Sequence, residues 1–319
     1  MSGKSAVTRL YRTASAPVKW LRARRILRAY SEHYLRARAA FGDTPSSGPN
    51  GISVTVERPG HAGRNFDLRS PYPALIDRVR REVAEQLELS KCCSFFPPLK
   101  PGEVPPRTAD IPTVRRGEVI AIQLNDPFKI GGLEDLCEFL IPQLERNVYG
   151  SHVIVDKVYA YRNLVADRAE EVSWLWHYDN HPREILKLMI YLTDVDEESG
   201  PFEYLRCAGT AEAVRMTPRP LLGNSRLSTR FLKRHIESGC RPHRVTGPAG
   251  TLILFDNNIA HKANLARKRH RDVVTFQIRP CDHPAAHALD VRWTGSFQHE
   301  DFNRSPGDYT ARIRRRSGY

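Results

Sequence analysis

The 319-residue chain is long enough for one large domain, and its 40 % hydrophobic content suffices for a substantial core. It has no run of about 18 apolar residues and no apolar leader of the secretory kind, so no membrane-spanning helix is expected and the default compartment is the cytoplasm. The net charge of +13 lies at the ends: residues 1–40 hold ten Lys or Arg and one acid, residues 302–319 hold five Arg and one Asp, and residues 41–301 balance to zero. A neutral body without stacked-aromatic RNA motifs argues against a nucleic-acid binder. Six cysteines show neither a disulfide framework nor CxxC spacing and read as mostly buried thiols.

In chain order, Trp20, Ala23, Leu27, Tyr30 and Tyr34 recur at helical spacing among Arg22, Arg24, Arg25, Arg28 and Arg36, which predicts a basic amphipathic helix. Such a helix either packs on the body with a solvated basic face or touches an anionic membrane. Residues 43–51 form a polar linker and 52–56 alternate like a strand. Leu75, Val79, Val83 and Leu87 are the apolar stripe of a helix that Ser70-Pro71 can start. Residues 96–106 are a proline-rich loop and 118–124 a strand. Residues 133–149 read as a helix kinked at Pro142, because a proline in a regular helix costs about 3 kcal/mol, and Gly150 ends it.

Beyond residue 152 the chain is mainly strands. Residues 153–162 are the first, with Lys157, Tyr159 and Tyr161 as its inward set and therefore candidates to touch a cofactor or substrate. Residues 172–176, 186–192, 251–255 and 272–278 follow. There is no phosphate loop, GxSxG elbow or internal repeat. Helices first and strands after predict a mainly β fold with flanking helices: a double-stranded β-helix, a cupin-like jelly roll, with an α-helical layer outside one sheet. The expected organisation is a basic amphipathic segment (1–40), the β-helix domain (41–301) and a basic tail (302–319).

The chemistry is carried by His177-Tyr178-Asp179 and, far downstream, His261. On a strand, residues i and i+2 share a face, so His177 and Asp179 can bind one metal, and His261 would complete the set. Two imidazoles and one carboxylate on one face of an octahedral ion leave three positions open, the arrangement of non-haem Fe(II) oxygenases, with room for a bidentate 2-oxo acid and O2. The pairs His270-Arg271-Asp272 and His235-Ile236-Glu237 also have this spacing. The former lies in a basic turn and the latter in a helical stretch ending at Gly239, so both are expected to face solvent. Arg271 opens a strand whose Thr275 and Gln277 share its face, which presents a planar fork to a carboxylate.

These motifs resemble the phytanoyl-CoA dioxygenase-like branch of the Fe(II)/2-oxoglutarate-dependent oxygenases. The likeness spans roughly residues 150–281 and comprises the HxD pair, a strand of the type 187–195, the turn Glu198-Ser-Gly-Pro-Phe202, the strand Gly250-Thr-Leu-Ile-Leu-Phe-Asp256, the distal His261 and a downstream Arg. It implies His177, Asp179 and His261 as iron ligands and Arg271 as partner of the distal carboxylate of 2-oxoglutarate, with Arg269 and Arg279 as rivals. The family's Gly-Ser-His after the Gly-Pro turn is replaced by Arg206-Cys-Ala-Gly209. Asp179 stands where halogenating relatives have a small residue, so hydroxylation or a related C–H oxidation of a small-molecule or lipid-like substrate is the implied reaction, with release of succinate and CO2. Other readings are a cupin-type metalloenzyme that uses no 2-oxo acid and a non-enzymatic metal-bearing adaptor docked by its basic termini.

Overall fold

In the computed structural model, the described residues are 16–42, 46–88, 93–96, 120–167, 172–219 and 225–284. The basic tail 302–319, residues 1–15 and most of the proline-rich loop lie outside them. Among these residues, four α-helices, α1 (Ala16–Phe41), α2 (Tyr72–Leu87), α3 (Gly132–Leu144) and α4 (Thr229–Glu237), accompany ten strands. The strands are β1 (Val54–Glu57), β2 (Cys93–Phe96), β3 (Ala121–Leu124), β4 (His152–Asn163), β5 (Leu186–Tyr191), β6 (Phe202–Arg206), β7 (Arg241–Val245), β8 (Leu252–Asp256), β9 (His261–Ala263) and β10 (Arg271–Cys281). They form a large antiparallel sheet, β1-β8-β5-β10-β4-β3-β2, and a small one, β7-β6-β9. His177 is bridged to His261 at the edge of the small sheet. From β4 onward the chain therefore passes repeatedly between two facing sheets, which is the double-stranded β-helix read from the sequence.

Strand alternation divides the large sheet into two surfaces. Val158, Ala160, Leu188, Ile190, Leu252, Leu254, Val274, Phe276 and Ile278 face outward and pack with Ile76, Val79 and Val83 of α2 and Leu133, Leu136 and Leu140 of α3. Met189, Tyr191, Ile253, Phe255 and Val273 face inward, toward Phe202, Tyr204 and Val245 of the small sheet. β4 and β10 carry the longest ladder. Val155 pairs with Ile278 and Lys157 with Gln277, so Asp156 is an extra residue, a β-bulge. The predicted helix kink takes a specific form: α3 contains Pro142 and passes into a π turn, Glu145–Tyr149, which Gly150 closes at φ 61° by donating its N–H to the Glu145 carbonyl at 2.7 Å.

The turn between β5 and β6 depends on Gly200. Its φ is 73°, and a Cβ there would stand 2.8 Å from both the Asn264 carbonyl oxygen and the Ala266 nitrogen, so only glycine brings Phe202 into line beside His261. Segment 172–176, expected as a strand, is instead a 3-10 turn over Val172–Trp174 followed by bends. Its tryptophans are partly covered by separate neighbours, Trp174 by the main core and Trp176 by a side cluster with Leu227 and Phe231, so no single sheet face organises them.

The N-terminal helix α1 lies across β4 and β10. Ala23, Ile26, Tyr30, His33, Tyr34 and Ala37 are its buried face, whereas Trp20 is half-exposed and Leu27 only partly covered. The stripe is thus rotated from the one read in the sequence. Tyr34 donates its hydroxyl to the Tyr149 carbonyl at 2.7 Å, and Tyr30 accepts from Arg279, which itself pairs with the bulged Asp156. Tyr30 is among the largest fully buried side chains. Replacing it by Ala should destabilise the protein by about 3–5 kcal/mol, read as a lower midpoint in urea unfolding.

Candidate active site

His177 and His261 exchange two backbone hydrogen bonds of 2.9 Å each, which sets their rings side by side with centroids 4.3 Å apart. Each ring is oriented by its own backbone: His177 Nδ1 lies 2.8 Å from the Leu175 carbonyl and His261 Nδ1 lies 2.9 Å from the Ile259 carbonyl. A carbonyl only accepts, so both Nδ1 atoms carry the proton and both Nε2 lone pairs are free to bind a metal. Asp179 completes the set, with Oδ1 3.8 Å from His177 Nε2 and Oδ2 3.7 Å from His261 Nε2. One donor atom from each of the three lies within 4.8 Å of the others, the convergence that a single ion requires.

The supports of this triad include residues that the sequence reading missed. Asp179 donates its N–H to the Asn257 carbonyl at 2.7 Å. Asn257 and Asn258 are fully buried, and their amides donate to the Ile185 and His181 carbonyls at 2.8 and 2.9 Å, which fastens the chain after Asp179 to the turn before His261. Asn180 sits at φ 59°, and its side chain makes two bonds to the backbone of Arg219, at 3.0 and 2.6 Å. Asparagine tolerates that left-handed conformation, and its presence directly after both Asp179 and Asp256 is the signal available in the sequence. Lys187 was the other omission. Its Nζ donates to Asp179 Oδ2 at 2.8 Å from within an apolar strand.

The electrostatics favour the metal-binding forms. Burial opposes charge on Asp179, but Lys187 and the two imidazoles outweigh it and hold the carboxyl far below the usual carboxylate range. Burial, helped by the nearby His177, pushes the His261 imidazole down to about 3, so it is neutral at physiological pH. For Lys187, burial works against the charge and the Asp179 carboxylate overrides it, raising the ammonium above its ordinary value.

The triad opens on a cavity of about 350 Å³. Met189, Phe202 and Phe255 form apolar walls, and Arg271, Thr275, Tyr159 and Tyr161 line it from the large sheet. Arg271 is 1 % exposed, and its Nε and Nη1 have no hydrogen-bond partner among the described residues. Thr275 Oγ1, on the same face of β10, is likewise buried without one. Tyr159 stands directly across from Thr275. Lys157 shares that face but does not line the cavity, and Gln277 beside it is turned to Asp156 at 3.2 Å. The rival arginines are elsewhere: Arg269 is exposed and paired with Asp196, and Arg279 is paired with Asp156 and Tyr30. His270 is exposed, and His235 lies on α4 with Nδ1 bonded to the Phe231 carbonyl, so neither joins the triad. Two buried N–H groups and a hydroxyl with unfilled bonding capacity fit a carboxylate at that end of the cavity.

No family model matches the sequence, and no curated protein matches it. Among solved structures, it is similar to the epimerase SnoN from nogalamycin biosynthesis in complex with Fe3+, alpha ketoglutarate and nogalamycin RO, at 15 % identity and TM-score 0.44 over 77 % of this chain and 83 % of that one. It is also similar to EctD from S. alaskensis with 2-oxoglutarate and 5-hydroxyectoine (14 %, 0.40, 72 % of each chain). A third is HygX from Streptomyces hygroscopicus with nickel, 2-oxoglutarate and hygromycin B (14 %, 0.40, 73 % of this chain and 85 % of that one). These likenesses are distant, and the functional reading rests on the geometry of the site. Asp179→Ala and His261→Ala should each abolish stoichiometric Co(II) binding, measured by the visible absorption of the cobalt-loaded protein, while leaving the far-UV circular dichroism unchanged.

Proposed function

We propose that the protein is an Fe(II)/2-oxoglutarate-dependent dioxygenase, which oxidises an unactivated C–H bond of a small-molecule or lipid-like substrate with consumption of O2 and release of succinate and CO2. The observation that carries this is the pairing of a His177/Asp179/His261 triad with a buried, unsatisfied Arg271 in one cavity. The triad alone would suit a cupin-type metalloenzyme or a metal-bearing adaptor equally well. A buried guanidinium that rests on the Tyr191 ring and whose Nε and Nη1 have no protein acceptor among the described residues adds a place for a second anionic ligand, which neither of those readings needs.

When bound, the metal and the 2-oxo acid together supply the oxidising chemistry. The chain supplies geometry. His177 and His261 present Nε2 and Asp179 an oxygen, all from one side, so the opposite side faces the cavity. Arg271 and Thr275 hold the distal carboxylate, with Tyr159 and Tyr161 beside them. Met189, Phe202 and Phe255 keep water from the reacting face. Placement in the phytanoyl-CoA dioxygenase-like branch is supported by the order of motifs through residues 150–281 and by the Gly200 turn.

Anaerobic addition of Fe(II) and 2-oxoglutarate should give the visible charge-transfer band of a chelated keto acid. Arg271→Ala should raise the 2-oxoglutarate dissociation constant about tenfold or more, the worth of a charge-assisted hydrogen-bonded pair, with little effect on Fe(II) affinity. A wild-type protein that binds Fe(II) but gives no band and no succinate would favour the cupin-type reading.

We further propose peripheral contact with anionic membranes through the first turns of α1. Val18, Trp20 and Leu21 are 67, 48 and 61 % exposed and stand among Lys19, Arg22 and Arg24. Among the described residues no helix is long and apolar enough to cross a membrane, so the contact would be interfacial. Trp20→Glu with Leu21→Glu should abolish co-sedimentation with phosphatidylserine vesicles at low salt. Equal sedimentation of the doubly substituted protein would remove this reading.

A further inference from the structure

Among the described residues, three that line the cavity carry a full charge: Asp179, Lys187 and Arg271. The function proposed above occupies two of them. A divalent ion, the Asp179 carboxylate, a dicarboxylate and the Arg271 guanidinium cancel one another, so the site is electrically closed without Lys187. The ammonium is then one positive charge in excess, on a side chain only 19 % exposed.

Its surroundings offer little to offset it. Across the sheet Lys187 is flanked by Phe255 on β8 and by Gln277 on β10, and the Gln277 amide is already turned to Asp156. The next residue in the same cross-strand row is Lys157, a second cation. Among the described residues Asp179 is the single acid lining the cavity, 2.8 Å from the ammonium, and one carboxylate cannot neutralise both a lysine and a dication. With a metal sharing that carboxylate the buried ammonium is only partly balanced, a deficit that an arriving anion would relieve.

We infer that the substrate bears an anionic group, a carboxylate or a phosphate, which Lys187 binds beside the metal. This rests on the dioxygenase reading and narrows it: the substrate is an anionic small molecule, and a neutral lipid is disfavoured. Lys187 thereby acts as a specificity residue at the metal end of the cavity, and Arg271 serves the other end. Their separation follows from the register, because Lys187 aligns with Gln277, three inward-facing positions along β10 from Arg271.

The test uses the full chain loaded with Ni(II) and N-oxalylglycine, as wild type, Lys187→Met and Lys187→Arg. Each is titrated calorimetrically with acetate, with inorganic phosphate and with uncharged acetamide. Wild type should bind at least one of the two anions, and the stronger of them identifies the group. Lys187→Met should weaken that binding about tenfold, Lys187→Arg should retain it, and acetamide should give no heat. Anion binding equal in wild type and Lys187→Met, or an absence of preference over acetamide in wild type, overturns the inference. Failure of wild type to take up Ni(II) or N-oxalylglycine would instead overturn the dioxygenase reading beneath it.

Discussion

The site depends on one backbone contact, the reciprocal pair of hydrogen bonds between His177 and His261. It brings two ligands from distant parts of the chain into register before any side chain interacts. The entropic cost of closing so long a loop grows only logarithmically with its length, and the strands between the two histidines, paired in both sheets, meet that cost. With the backbones fixed, each ring is locked by a carbonyl two residues behind it, so the metal-binding nitrogens converge as a consequence of strand geometry.

The same strand that holds the fold together also carries its least comfortable residue. β10 is buried along its whole length, with Val274, Phe276 and Ile278 against the helical layer and Arg271, Val273 and Thr275 toward the cavity. Burying a guanidinium is costly, and Nε and Nη1 of Arg271 have no protein acceptor among the described residues to offset that cost. β10 tolerates it because the ladders to β4 and β5 and the outer apolar face provide stability on both sides. Free energy withheld from the folded protein is then available to a ligand that completes those bonds.

Much of this was legible in the sequence, and the failures have physical causes. The inward placement of Arg271 could be read because it opens a strand with period-two patterning, and the helices because their apolar stripes recur at the right spacing. The His177-x-Asp179 pair could be read from its spacing, although it follows an isolated bridge and not the strand that the spacing suggests. Segment 172–176 misled because Val, Trp and Leu satisfy a strand pattern whichever neighbours bury them. Lys157 was read correctly as inward-facing, but inward is not the same as lining the cavity, and that distinction depends on where the Asp156 bulge and the Gln277 side chain lie. Arg269 and Arg279 could be set apart from Arg271 only through their acidic partners, Asp196 and Asp156, which are far away in sequence. Lys187 hid inside an apolar strand, since its meaning comes from Asp179, a neighbour at 2.8 Å that lies outside that strand.

The N-terminal helix shows how a segment that looks separable by charge is joined to the chemistry by contact. Ser31 donates to Glu184 at 2.6 Å, and Ile26 and Tyr30 pack on Ile185. The Ile185 carbonyl accepts from Asn257, whose own carbonyl accepts from the Asp179 N–H. A continuous series of bonds and packed side chains therefore runs from α1 to a metal ligand, through a stretch that has no regular secondary structure of its own between Asp179 and β5. Such a stretch holds its shape only through its neighbours, and α1 is one of them. The basic face of α1 is free to meet solvent or a lipid surface because the opposite face is committed to holding Glu184 and Ile185 in place.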